Sequence, residues 1–167
     1  MYCKADYSQP LREQTPFSFQ ATVTVNGLIA LAKSGCSMRE FNTVPEAVIE
    51  VYRRGRPAAR ELFGEKIGLC GLMTPPISYG HLNTLGAELI FPEDGEVAVS
   101  PLADSMTEAI RILRQPRDMR NNGKLPYYLD FQRRLEKAFP CEKCALVFKP
   151  EGPLTTGYLL RGMDFFT

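Results

Sequence analysis

Three groups of residues in this chain have the types and spacing to do chemistry. The first is His81, the single histidine, which follows the rigid Pro75-Pro76 turn and Ser78-Tyr79-Gly80. With one histidine, no His pair, facial triad or Ser-His-Asp arrangement can form within one chain. An imidazole in the loop after a strand can still bind substrate or move a proton, and its plainer reading is a helix-start residue. The second group is Glu93-Asp94, directly after Phe91-Pro92 at the end of an expected strand. A carboxylate there lowers the energy of a cationic transition state, while Glu-Asp-Gly is equally a β-turn composition. The third is Cys141-Glu142-Lys143-Cys144. A structural zinc site usually takes four ligands, and no second Cys pair or Cys-His pair accompanies this one. A redox C-x-x-C opens a helix after a strand, whereas this one precedes a strand, so its thiols read as solvent-side residues of a loop. The five cysteines (Cys3, Cys36, Cys70, Cys141, Cys144) are odd in number and lack framework spacing, which fits a reducing compartment.

The elements that must position these residues follow from periodicity and caps. Residues 17–25 alternate and are rich in β-branched side chains, hence a strand ended by Asn26-Gly27. Residues 28–33 begin a helix that stops near Gly35. Thr43-x-x-Glu46 has the form of a capping box, and Val44, Val48, Val51, Tyr52, Ala59, Leu62 and Phe63 then recur at helical spacing. Gly55 and Pro57 interrupt that stripe, so a kink or two shorter helices are expected, with Gly64 closing the segment. Arg53, Arg54, Arg56 and Arg60 read as its solvated outer face. Residues 67–72 form a second strand, 82–85 a short helix, 88–91 a third strand and 97–99 a strand fragment. Asp104 or Ser105 caps a helix through Leu113, with Ser105-x-x-Glu108 in the form of a capping box, and residues 125–139 form another with Tyr128, Phe131, Leu135 and Ala138 on one face. Ala145-Leu146-Val147-Phe148 reads as a buried strand. Gly152-Pro153 then turns the chain into a helix capped by Thr155 or Thr156 and carrying Tyr158, Leu159, Leu160 and Phe165. Strands alternating with helices predict an α/β fold with a parallel sheet and outer helices, in three or four β/α units.

Several stretches resemble the uroporphyrinogen decarboxylase superfamily. They are Thr74-Pro75-Pro76-Ile77-Ser78-Tyr79-Gly80-His81-Leu82, residues 85–95, Pro101-Leu102-Ala103-Asp104-Ser105, Leu125-Pro126-Tyr127-Tyr128-Leu129, and residues 151–166. Order and spacing follow the family from about residue 40 to the end, with a weaker match before. The superfamily includes the haem-pathway decarboxylase and enzymes that move methyl groups from methylated corrinoids to thiols. The resemblance implies a (β/α)8 TIM barrel. Such a barrel takes around 250 residues, so these 167 look like its N-terminal half: one domain over 1–167 with an extension at 1–16.

The resemblance also implies site residues. The decarboxylases set an aspartate near the position of Glu93 and Asp94, facing the substrate's pyrrole nitrogens. They carry a substrate-facing tyrosine one residue away from the register of Tyr158, whose plainer reading is an apolar helix position. Glu93, Asp94 and Tyr158 are therefore the candidate catalytic residues, and His81, Tyr79 and Arg161 the candidate substrate-binding ones. Arg161 can pair with an anionic ligand group or with Asp164.

One departure selects among the branches. The decarboxylases grip a polyanionic tetrapyrrole with an arginine-bearing N-terminal loop, a natural use of bidentate guanidinium. The matching region after Val25 reads Asn26-Gly27-Leu28-Ile29-Ala30-Leu31-Ala32-Lys33, without arginine. The chain thus resembles the methylcorrinoid:thiol methyltransferase-like branch, where a zinc-activated thiolate attacks a methyl group on cobalt. The family's zinc ligands lie in the half this chain lacks, and none of its cysteines matches them. The expectation is no cofactor within the chain, zinc and a corrinoid-protein methyl donor for the complete enzyme, and no activity alone. The alternatives are a uroporphyrinogen III decarboxylase with a changed substrate grip, and a non-catalytic half barrel that self-associates.

Composition bounds the partners. With 44% hydrophobic and 23% charged residues, the chain is an ordinary globular one. Its net charge of +1 gives no field for nucleic acid or an anionic membrane. No apolar run approaches the length of a spanning helix, and the N-terminus lacks a signal-peptide pattern, so a cytoplasmic protein is expected. The expected ligand is a small molecule, a tetrapyrrole or a corrinoid. Two open sheet edges predict a homo-oligomer or a complementing C-terminal half.

Overall fold

A computed structural model describes residues 21–116, 118 and 120–166. The expected extension at 1–16, the strand residues 17–20 and Cys3 lie outside them. The fold is mixed α/β with short parallel strands.

Strand β1 (Thr22–Val23) stops before the expected end at Val25 because Thr24 begins the next helix. Thr24 has extended backbone, and its hydroxyl accepts from the Gly27 amide, making it the N-cap of α1 (Val25–Ala32). Asn26-Gly27 is therefore the first turn of a helix and not a strand-ending turn. A second difference lies downstream. Ser37 and Glu40 form a reciprocal capping box that starts α2 (Met38–Thr43). Thr43, expected to cap the long helix, is the last residue of α2, and its hydroxyl donates back to the Arg39 carbonyl. Val44 is the N-cap of α3 (Pro45–Phe63), which runs as one helix through Gly55 and Pro57.

The central segment runs from β2 (Gly68–Leu69) to β3 (Ile77–Ser78). Its first part pairs in parallel with β1. Its later part pairs in parallel with residues 145–149, through a Met73–Ala145 bridge and then β6 (Phe148–Lys149). The strand at Ile77, missed by the sequence reading behind two prolines, is held by the Ile77 amide donating to the Val147 carbonyl at 2.8 Å. The spatial order is thus β1, the 68–78 segment, then 145–149, following chain order. Residues 146–148 are half-buried rather than buried.

Short helix α4 (Gly80–Leu85) follows β3. Strands β4 (Leu89–Ile90) and β5 (Ala98–Val99) do not extend the parallel set, as the alternation had predicted. They pair with each other, antiparallel. Two further helices, α5 (Met106–Arg114) and α6 (Leu125–Ala138), lead to β6. The last helix, α7 (Pro153–Arg161), begins at N-cap Gly152 with Pro153 at N1, so neither Thr155 nor Thr156 caps it. A 3₁₀ turn over Gly162–Phe166 follows.

The main core lies between α1, α3 and α6. Leu28, Val48, Val51, Tyr52, Tyr128, Phe131 and Leu135 are fully or almost fully buried there, with Leu72 and Ile77 from the central segment. Gly55 permits this packing, since a Cβ on it would lie 2.5 Å from the Leu28 carbonyl oxygen. Three members of the expected α3 stripe lie outside the core: Val44, Leu62 and Phe63 are exposed. Nor are all its arginines solvated. Arg60 donates to the carbonyls of Gly64, Glu65 and Ile67, and Arg56 forms a two-point pair with Glu142 at 2.6 and 2.8 Å. No described helix is long and apolar enough to cross a membrane.

Candidate functional site

Loops leaving the carboxyl ends of neighbouring parallel strands converge, and in α/β proteins that convergence is where ligands bind. Here it forms a cleft of about 360 Å³. After β1 it receives Val25 and Asn26 from the first turn of α1. The central segment supplies Met73, Pro76, Ser78 and Tyr79, and the third strand supplies Val147, Lys149 and Glu151. The far wall comes from α2, with Met38, Phe41 and Asn42, and from Glu96 and Val97 between β4 and β5.

The β4–β5 turn is tied to that wall. The Met38 and Arg39 amides both donate to the Glu93 carbonyl, at 2.9 and 3.3 Å, and Arg39 Nε donates to the Phe91 carbonyl at 2.9 Å. A salt bridge from Arg39 Nη1 to Glu93 Oε2 at 3.3 Å completes the clasp. Its two side chains are more than half exposed, so the backbone bonds carry most of the fixing.

The candidates read from sequence fall in different places. Tyr79 lines the cleft, and its backbone is left-handed at φ 56° and ψ 20°. That conformation is costly for a residue with a Cβ, and it marks a position which the surrounding structure over-determines. His81, two residues on, sits behind the cleft. Its Nε2 is 3.1 Å from Thr156 Oγ1, while its Nδ1 is buried with no hydrogen-bond partner among the described residues. Burial holds this imidazole below its ordinary value of 6.5, opposed by the nearby Glu151 carboxylate.

Glu93 and Asp94 are exposed in the turn, and neither lines the cleft. Tyr158 is on the outer side of α7, stacked on Phe166 with ring centroids 6.0 Å apart. Arg161 pairs with Asp164 at 3.3 Å. Among the six candidates, then, Tyr79 lines the cleft and the other five do not.

Known proteins give no guide here. Comparison with protein-family models, curated proteins and solved structures finds no match to this chain.

The residues that sequence reasoning passed over are Asn26, Asn42, Glu96, Lys149 and Glu151. A signal for three of them was present. Asn26, Lys149 and Glu151 each stand at or just beyond the end of a parallel strand, where a β/α loop begins. Glu96 and Asn42 gave no such signal, because they reach the cleft through the packing of α2 and the β4–β5 turn. Among the described lining residues Lys149 is the one cation, set against the carboxylates of Glu96 and Glu151. Asn26, Asn42, Ser78 and Tyr79 add neutral donors and acceptors, and Val25, Phe41, Pro76, Val97 and Val147 supply apolar wall. A few polar groups over an apolar lining suit a small molecule, oriented by hydrogen bonds.

Cysteine chemistry is not favoured at this site. Burial pushes the Cys70 thiol up and that of Cys144 to about 11, so neither is a ready thiolate. No group of three or more His, Cys, Asp or Glu among the described residues is placed to hold a metal ion.

Proposed function

We propose that this chain is the opening half of a barrel enzyme of the uroporphyrinogen decarboxylase superfamily, of the methylcorrinoid:thiol methyltransferase-like branch. Its part is to supply one wall of the substrate cleft. The observation that carries this reading is the run of three parallel strands in chain order, each followed by helix, with the cleft at their carboxyl ends. That is the arrangement from which a (β/α)8 barrel is built.

The cleft supports a small substrate over a tetrapyrrole. A tetrapyrrole bearing many carboxylates calls for several guanidinium or ammonium groups. The described lining offers Lys149 alone, beside two carboxylates. A cleft of about 360 Å³ also suits a molecule far smaller than a porphyrinogen. Zinc does not fit the described residues, so the reading gives this chain no zinc-dependent step, and the chain is inactive by itself. Cleft-wall groups such as Asn26, Ser78 and Tyr79 orient the substrate, and the apolar side excludes water from it.

A partner follows from the same reading. Leu154, Met163 and Phe166 are 73%, 70% and 65% exposed along α7 and the final turn. An apolar surface of this kind favours a complementing half or a further copy.

The test is a titration of the isotopically labelled chain with a small thiol and, separately, with uroporphyrin, followed by amide NMR shifts. The expected result is saturable shifts at Asn26, Ser78 and Tyr79 with the thiol and none with uroporphyrin. Saturable uroporphyrin binding at those amides would transfer the chain to the decarboxylase alternative. Silence with both ligands would remove the enzymatic reading.

A further inference from the structure

The described lining of the cleft carries two carboxylates, Glu96 and Glu151, against one ammonium, Lys149. The carboxylates come from different walls, Glu96 from between β4 and β5 and Glu151 from the loop after β6. None of the three forms a salt bridge or a side-chain hydrogen bond with another described residue. Glu93, on the turn that closes the same wall as Glu96, is by contrast paired with Arg39. Nor does His81, near Glu151, restore the balance. Burial holds its imidazole below the ordinary value, and so uncharged at neutral pH.

A second observation concerns Asn42. This residue is 5% exposed and yet belongs to the lining. Its Nδ2 donates to the Met38 carbonyl at 2.7 Å, one turn back in α2. Its Oδ1 has no hydrogen-bond partner among the described residues. Buried amide oxygens are normally satisfied, so this acceptor is an exception to explain. Among the described side-chain atoms only His81 Nδ1 is both sealed from solvent and unpartnered. Asn42 Oδ1 therefore keeps an opening, and the cleft is the space that Asn42 faces.

The cleft thus offers a ligand two free carboxylates and a free amide oxygen, all acceptors. An ammonium group has three donors and no acceptor, and matches them in both charge and hydrogen bonding. A ligand carboxylate or sulfonate would meet like charge from two walls. A metal ion would ask for a tighter group of ligands than the described residues present.

We propose that the cleft selects a substrate bearing a protonated amine, received by Glu96, Glu151 and Asn42 Oδ1. This rests on the assignment of the cleft to a small thiol, and it adds the charge at the far end of that thiol.

Amide NMR titrations of the full chain near neutral pH, with four small probes, test this. Three are thiols: cysteamine is a cation, mercaptoethanol is neutral and mercaptoacetate is an anion. The fourth, ethanolamine, keeps the amine and lacks the thiol. The thiols are expected to bind in the order cation, neutral, anion, over a range on the order of tenfold that narrows in high salt. Glu96→Gln and Glu151→Gln should each weaken cysteamine about threefold, the share of an exposed ion pair, and leave mercaptoethanol unchanged. Both side chains are exposed, so neither substitution disturbs the core. Equal binding of the three thiols, or tightest binding of mercaptoacetate, would overturn the amine inference and leave the small-thiol reading standing. Cysteamine binding indifferent to both substitutions would overturn it too. Ethanolamine binding as tightly as cysteamine would support the amine and remove the thiol.

Discussion

The imidazole Nε2 of His81 and the hydroxyl of Thr156 stand 3.1 Å apart across two neighbouring β/α loops. His81 belongs to α4, after the central segment, and Thr156 to α7, after its parallel neighbour. Because Nδ1 is buried and has no partner among the described residues, we assign the proton to Nε2, which then donates to Thr156 Oγ1. Thr156 in turn contacts the Glu151 carbonyl at 3.4 Å. The chain of contacts thus joins the loop behind Tyr79 to the one bearing Glu151, and both of those residues line the cleft.

A pH dependence follows from that bond. Burial holds His81 below 6.5 in the folded chain. Above that value both states carry neutral imidazole, and the group adds no slope. As pH falls through it, the unfolded chain takes up its proton first, so stability declines until the folded group titrates too. The urea midpoint should therefore drop from about pH 7 to about pH 5, and His81→Gln should flatten that part of the curve. An identical slope in the variant would show that other groups carry it.

Gly55 gives a second prediction. In an exposed helix interior Gly→Ala stabilises by roughly 1 kcal/mol. Here the new Cβ would meet the Leu28 carbonyl at 2.5 Å, and a backbone atom cannot rotate away. Gly55→Ala should instead destabilise by about 1–3 kcal/mol by forcing α1 and α3 apart. Denaturant unfolding of the variant reads the sign directly.

Tyr79 gives a third. At φ 56° any residue with a Cβ is strained, and glycine is not. Tyr79→Gly and Tyr79→Ala lose the same ring, so their difference isolates the backbone. The glycine variant should be the more stable by about 1 kcal/mol, the reverse of the order found inside helices. Thermal melts of the pair decide it.

Arg56 gives a fourth. Besides its two-point bond to Glu142, the guanidinium lies 4.7 Å from the Tyr52 ring centroid and 5.7 Å from that of Phe139. A lysine cannot reproduce the planar fork or the stacking. Arg56→Lys should cost about 1–2 kcal/mol, and Arg53→Lys on the exposed side of the same helix less than about 0.5 kcal/mol. Equal effects in chemical denaturation would return Arg56 to the solvated face where its sequence context had put it.

Much of this protein was decided locally. The stripe at Val48, Val51, Tyr52 and Ala59, and that at Tyr128, Phe131 and Leu135, specify buried helix faces because helical spacing depends on near neighbours alone. Gly64 and Gly86 as helix ends were legible for the same reason, as was an N-cap at Asp104 or Ser105, which the structure gives to Ser105. So was Tyr79, as a residue of a loop that follows a strand. The tertiary structure decided what depends on partners distant in sequence. The pairing of β4 with β5 instead of the parallel strands is one case. The pairing of Arg56 with Glu142, 86 residues away, is another. The cleft itself is a third, since Asn42 and Glu96 reach it only once α2 and the β4–β5 turn are clasped together. A single sequence states what each residue prefers beside its neighbours, and the site is made by residues that become neighbours only on folding.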